Sequence, residues 1–172
     1  IDNSAGVDCS DHEVNIKILL NEIVANGDLT LKQRNVLLEA MTEDVSKLVL
    51  INNYRQAQAI SLAESEVRNK MEEYRRFIEY LEAEGKLDRA IEFLPDNEAL
   101  EEREAAGLVL TRPELSLLVS YSKSDLKEVL IRSDIIHDPY LTQELNTAFP
   151  KVLVDRFSPQ IAGHRLRSEI IS

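Results

Sequence analysis

SLAESEVRNKMEEYRRFIEYLEAEG, residues 61–85, decides how this chain folds. Leu62, Val67, Met71, Tyr74, Phe77, Ile78 and Leu81 step mainly by three and four, which lines them along one side of a helix. Glu64, Glu66, Arg68, Lys70, Glu72, Glu73, Arg75, Arg76 and Glu79 fill the other positions. Opposite charges four apart lend about 0.2–0.5 kcal/mol per pair. Gly85 stops the element. The segment reads as a long amphipathic helix, able to run nearly unbroken from the one before it.

Working outward, the same period recurs. Towards the N-terminus, Val45, Leu48, Val49 and Ile51 follow a cap at Thr42 and an acidic first turn, Glu43-Asp44, and the helix runs towards Ile60. Its amide-rich run, Asn52 to Gln58, is either an exposed or packed helix face or a contact with a missing domain. A short helix is expected over Leu31 to Met41, capped by Thr30 or Asp28, with Leu31, Val36, Leu37, Leu38 and Met41 inward. Asp11 to Ala25 is expected as the first helix, closed by Asn26-Gly27. Towards the C-terminus the reading gives a brief helix at Leu87 to Phe93 and another at Asn97 to Ala106, capped by Asp96 and closed by Gly107. A third follows Thr111 with Pro113 in its first turn. Ser124 opens Asp125 to Ser133, Asp138-Pro139 opens a helix through Thr147, and Lys151 to Phe157 makes one or two turns. Ser158-Pro159 starts the last helix, towards Ile171. No alternating strand run occurs. The fold class expected is all-α, an irregular multi-helix bundle around one long amphipathic helix, preceded by a short loop.

Composition narrows the function. The 172 residues suit one domain or one domain plus a stub, and the hydrophobic share of 44% suffices for a core. Gly and Pro are scarce, at five each, in keeping with helix. A formal net charge of -11 argues against nucleic acid and anionic membrane surfaces as partners. The single Cys excludes an internal disulfide, as expected of a cytoplasmic protein. No apolar run approaches the roughly 20 residues of a membrane helix, and no signal peptide is visible. The chain opens on Ile1 rather than Met, so a piece of something longer is expected.

Only Ile1 to Lys17, IDNSAGVDCSDHEVNIK, reads as chemistry. A small-residue run, Asn3 to Val7, leads into a polar turn, Asp8 to Asp11, and then the first helix. Gly6 can adopt a left-handed or crowded backbone. Ser10 or Asp11 can cap the helix, and Glu13 lies three after Ser10, as in a capping box. Such a turn suits a carboxylate or phosphate.

The segment from Asn3 to Glu13 resembles the Asn-Ala-Gly-Gly-Val-x-x-Ser-x-x-Glu stretch of glutamate dehydrogenases, and most closely the very large bacterial NAD-specific enzymes. Asn3, Gly6, Val7, Ser10 and Glu13 fall in place without a gap; Ala5 stands where the small hexameric enzymes have Gly. The resemblance implies a fragment of an NAD-dependent enzyme that oxidises glutamate to 2-oxoglutarate and ammonia. It implies that Asn3 lies beside the nicotinamide end of the cofactor, and that Val7 and Ser10 line the glutamate pocket, Ser10 near the side-chain carboxylate. On this reading residues 1–25 are the end of the catalytic domain, a loop plus first helix, and residues 26–172 a C-terminal helical domain. The partners implied are glutamate or 2-oxoglutarate, the rest of the parent chain and further copies in a homo-oligomer. The general base and carbonyl-binding lysines of the family have no place in this chain, so no catalytic residue is assigned and the fragment alone is expected to be inactive.

Other candidates are weaker. Asp8, Cys9, Asp11, His12 and Glu13 are metal-ligand types, but their spacing fits no metal site. Cys9 has no visible base and is expected to be a small buried or turn thiol. His137 is expected in a loop, and His164, with Arg165 and Arg167, near a helix end where cations suit the dipole. Arg75-Arg76 and Arg165-Arg167 can bind anions, but nearby Glu residues favour a solvated face. No Gly-x-Gly-x-x-Gly occurs, so a dinucleotide cradle is not within this chain. The competing expectation is a stand-alone helical interaction or regulatory module, in which the Asn3-to-Val7 run is only a structural cap.

Overall fold

The computed structural model describes residues 2–172, with the side chains at all of these except 2–4 and 142. It is 77% helical, with no strand among the described residues. Among the described residues eight α-helices occur in the order α1 (Asp2–Ala25), α2 (Leu31–Ala40), α3 (Thr42–Ala83), α4 (Asn97–Ala105), α5 (Arg112–Arg132), α6 (Thr142–Thr147), α7 (Lys151–Ala162) and α8 (Arg167–Ile171), with a 3₁₀ helix at Asp134–His137 before α6.

Two compact units divide the chain. The first joins Ile1–Arg55 to Asp125–Ser172. Its core is the inner side of α1 (Ile16, Leu19, Leu20 and Ile23) with Leu29, Leu37 and Met41, closed by Leu145, Phe149, Leu153, Phe157 and Ile161 from the C-terminal helices. Each such Leu or Ile contributes about 1.5–3 kcal/mol by leaving water. α2 shows how narrow the apolar stripe is. Leu37 and Met41 are buried, but Leu31 and Val36, expected inward, are exposed. In a ten-residue helix they lie off the side that meets the core, so their apolar character does not decide their position.

The second unit is Gln56–Ser124. Ala63, Val67, Met71, Ile78 and Leu81 of α3 pack with Leu87, Leu94, Leu100, Leu110, Leu115 and Leu118. Leu62, read as part of the same stripe, is exposed. Arg75, on the α3 surface, reaches across to Glu104 of α4 at 2.6 Å, and Arg103 of α4 holds both carboxylate oxygens of Glu114 in α5 at 2.9 Å. These inter-helix pairs replace the solvated face expected for Arg75.

Helix ends follow local chemistry. Gly27, Gly85 and Gly107 all have positive φ, at 84°, 65° and 72°. Each is followed by an amide bonding back five residues: Asp28 to Ile23, Lys86 to Leu81 and Leu108 to Arg103. These are Schellman closures, which need a left-handed residue that glycine adopts without strain. Thr30 caps α2 in a reciprocal box with Gln33. Asp96 caps α4 through the Ala99 amide at 2.8 Å.

Several boundaries differ from expectation. The helix entered at Thr42 runs on past Ile60 to Ala83, the nearly unbroken course the sequence allowed, and the one departure from helical dihedrals is at Lys70 (φ -125°, ψ 16°). α5 passes through Ser124 without a break, because a lone serine costs little inside a helix whose flanks propagate. Leu87 to Phe93 is not a brief helix; only residues 89–93 turn, after an irregular Leu87-Asp88. α7 consists of two helical pieces that meet at a kink at Phe157 (φ -132°, ψ 28°), so the end expected at Phe157 and the new start at Ser158-Pro159 hold, but the second piece stops at Ala162 instead of reaching Ile171. The last helix is therefore the short α8, starting at Arg167. The stretch after Asp138-Pro139 stays in turns until α6, and His137 ends the 3₁₀ helix instead of lying in a loop.

Candidate functional site

α1 carries the candidate residues, and it begins earlier than the sequence suggests. Residues 2–10 are helical, not a loop, and neither Ser10 nor Asp11 caps the helix, since both lie well inside it. Gly6 takes no left-handed turn and no close approach; a Cβ placed on it would meet nothing within 4 Å. Long-range bonds from Asp8 and His12 anchor the additional turns and override the weak helix propensity of the Asn3-to-Val7 run.

At 100° per residue, Asn3, Val7, Ser10, Val14 and Lys17 fall on one stripe of α1. Asp8, His12, Asn15, Ile16, Leu19 and Ile23 fall on the opposite one. The second stripe holds the helix to its own unit. The first faces away: Val7 is 64% exposed and Ser10 is exposed. The Ser10 hydroxyl has no hydrogen-bond partner among the described residues. The Asn3 side chain lies outside the described residues; its backbone belongs to the same stripe. Cys9 is an exposed free thiol, not a buried or turn one.

The anchoring stripe is polar where the core ends. His12, 6% exposed, bonds through Nδ1 to the Ala148 carbonyl at 3.0 Å. A carbonyl only accepts, so Nδ1 carries the hydrogen and donates. Nε2 lies 3.8 Å from Asp8 Oδ1, beyond hydrogen-bond reach, and has no partner among the described residues. Asp8 accepts from the Asn52 amide at 3.1 Å to both oxygens. Asn52, read only as one of an amide-rich run, thus fixes the start of α1 against α3. His164 lies just past the C-terminal end of α7, as expected, but it is 3% exposed and does not serve there as a cation. Its Nε2 donates to the Asn15 carbonyl at 3.0 Å and its Nδ1 accepts the Leu166 amide at 3.1 Å. That pattern requires the neutral ring.

A cleft of about 850 Å³ opens in the first unit beside Asp8, His12 and Asn52, with Arg55 and Lys127 on its rim. Those two cations have no ion-pair partner among the described residues. The cleft can hold polar groups. It lacks a catalytic set: among the described residues no hydroxyl or thiol is bonded to a histidine, and no three His, Cys, Asp or Glu side chains converge as metal ligands. No helix among the described residues is long and apolar enough to cross a membrane.

Comparison with known proteins divides the chain at both ends. Residues 1–63 match the catalytic domain of bacterial NAD-glutamate dehydrogenase, and residues 107–172 match the C-terminal domain of glutamate dehydrogenase. Over all 172 residues the chain is 59% identical to an NAD-specific glutamate dehydrogenase of Pseudomonas aeruginosa, 53% to one of Halomonas elongata and 39% to one of Mycobacterium tuberculosis. It spans about 11% of the length of each. With α1 inside the first match and α6 to α8 inside the second, the chain belongs to the bacterial NAD-glutamate dehydrogenase family, as a segment that joins the end of the catalytic domain to the C-terminal helices.

Proposed function

We propose that this chain is the part of an NAD-dependent glutamate dehydrogenase that closes one side of the glutamate pocket and supplies a helical assembly or regulatory domain. The whole protein converts glutamate, water and NAD to 2-oxoglutarate, ammonia and NADH. NAD supplies the hydride acceptor when bound. The observation that carries the reading is the two-sided α1. Val7 and Ser10 stand on the stripe turned away from their own unit, while Asp8, His12 and Asn15 hold the other stripe in place. A residue that serves a pocket built with other parts of a longer chain needs that orientation. In this role the Ser10 hydroxyl donates to the side-chain carboxylate of glutamate, a charge-assisted bond of roughly 1.5–3 kcal/mol. The Val7 methyl groups border the substrate's methylene carbons.

The resemblance assigns only the nicotinamide end of NAD to this chain, through Asn3. Every positive-φ glycine among the described residues closes a helix C-terminus, so none is left to cradle a pyrophosphate at a helix N-terminus. The dinucleotide fold and the acid–base groups belong to the remainder of the parent. The division at residues 25 and 26 is proposed as one of ancestry, while the compact units reflect packing; the catalytic-domain match reaching residue 63 supports catalytic parentage for α1. A cytoplasmic homo-oligomer is proposed as the working form. The charge of -11 speaks against nucleic-acid partners, and the single cysteine suits a reducing compartment.

The test compares two proteins. The full-length parent should reduce NAD in the presence of glutamate. This chain alone should show helical circular dichroism and no turnover. Robust turnover by the isolated chain would favour a different function.

A further inference from the structure

The turn region between α3 and α4 carries an anomaly that the dehydrogenase reading does not use. Phe93 has φ 56°, the one positive φ at a non-glycine among the described residues, and is 90% exposed. Ile91, two residues earlier, is 71% exposed. A bulky L-residue in the left-handed region is strained, and a phenyl ring in water is unfavourable, so the same residue is costly twice.

The loop beneath it is held rigidly. Leu87 and Leu94 are buried on either side of the tip. Asp88 Oδ1 accepts the amides of Ala90 at 2.9 Å and Ile91 at 3.2 Å. Arg89 bonds to Glu82 at 2.8 Å, to the Pro95 carbonyl at 3.2 Å and to Asn97 at 2.8 Å. Tyr121 of α5 donates to Glu92 at 2.7 Å. Phe93 is therefore presented by a fixed base, the arrangement in which an apolar anchor loses least entropy on docking.

We propose that the Ile91–Phe93 tip is a docking knob seated in an apolar pocket elsewhere in the same, longer polypeptide. The size of the knob selects that partner. Two side chains bury roughly 200 Å² each, far below the roughly 1,200–2,000 Å² of a stable interface between free proteins. Within one polypeptide, tethering supplies the effective concentration that such a small contact lacks. Relatives about nine times longer than this chain provide ample sequence for the pocket. A second copy seated tip to tip is disfavoured because Asp88 and Glu92 beside the tip would face their own counterparts. The inference rests on membership of that longer family and not on the glutamate chemistry, so a parent that failed to oxidise glutamate would leave it standing.

The experiment replaces Phe93 by the photo-crosslinking residue p-benzoylphenylalanine in the full-length protein, with irradiation and peptide mapping. The expected result is a cross-link within one polypeptide, to apolar residues of a single segment outside these 172. A cross-link of doubled mass, cross-links confined to these 172 residues, or none at all would overturn the proposal. Phe93→Gly provides the second readout. Glycine removes the backbone strain, so an idle tip gives a higher melting temperature for the whole protein and overturns the proposal; a seated one gives a lower melting temperature.

Discussion

His164→Ala should destabilise the first unit more than any other single change to its polar residues. The ring is almost wholly buried, makes two hydrogen bonds and packs on Phe149 with centroids 5.5 Å apart. Each bond is worth about 0.5–1.5 kcal/mol net, and a partner left buried and unpaired costs about 1–3 kcal/mol. With the lost ring packing, the total is about 3–4 kcal/mol. His12→Ala removes one bond, to Ala148, and should cost about 2 kcal/mol. At about 2–4 °C per kcal/mol for a chain of this size, His164→Ala should melt roughly 6–16 °C below the parent sequence, and His12→Ala about half as far below. Thermal melts by circular dichroism, with hydrogen exchange over residues 1–55 and 125–172 to localise the loss, provide the check. If His164→Ala melted within a degree or two of the unsubstituted chain, or above His12→Ala, the two histidines would not be the tie between α1 and the C-terminal helices.

Gly6→Ala should stabilise the chain by about 0.5–1 kcal/mol, because Gly6 is helical with open space where a Cβ would stand; a lower melting temperature would show that the residue needs glycine's freedom. Arg75→Ala combined with Arg76→Ala should lower the stability or assembly of the full-length protein more than its chemical step, since Arg75 ties α3 to Glu104 and Glu101; stopped-flow rates and melting curves on one preparation separate the two effects. Tyr121 titrates above the usual phenol value, because its hydroxyl donates to Glu92 and burial adds to the effect. A raised folded value means that this bond's stabilisation is complete below about pH 10 and is lost as pH climbs through the folded value. Ultraviolet titration should show a late phenolate phase that Tyr121→Phe diminishes, the remainder belonging to Tyr74, which burial also raises.

Most of the helical scaffold was legible because it is local. The three- and four-residue steps of Val67, Met71, Ile78 and Leu81 state which side of α3 is buried, and Gly27, Gly85, Gly107, Thr30 and Asp96 act within a few residues of themselves. The break that failed to appear, at Ser124, rested on a weak signal that helix propagation overrides. The polar anchors were not legible for a different reason. His12 meets a carbonyl 136 residues away, and His164 one 149 residues away, and no short-range pattern encodes such pairs. The start of α1 went unread for the same cause, since its first turns depend on Asn52 and Ala148. Phe93 looked like the end of a brief helix because its apolar type carries no sign of its backbone. Asn3, Val7 and Ser10 are proposed from resemblance alone; their shared stripe on α1 became visible only once residues 2–10 proved helical.

The most direct measurement is steady-state kinetics of the full-length protein carrying Ser10→Ala, with glutamate and NAD varied separately and a melting curve on the same sample. Ser10 lies inside α1 and caps nothing, so little stability should be lost. The account predicts that glutamate affinity falls about ten- to a hundredfold, the equivalent of roughly 1.5–3 kcal/mol, while affinity for NAD holds. Unchanged glutamate dependence in a folded, active protein would contradict the placement of this chain at the substrate pocket.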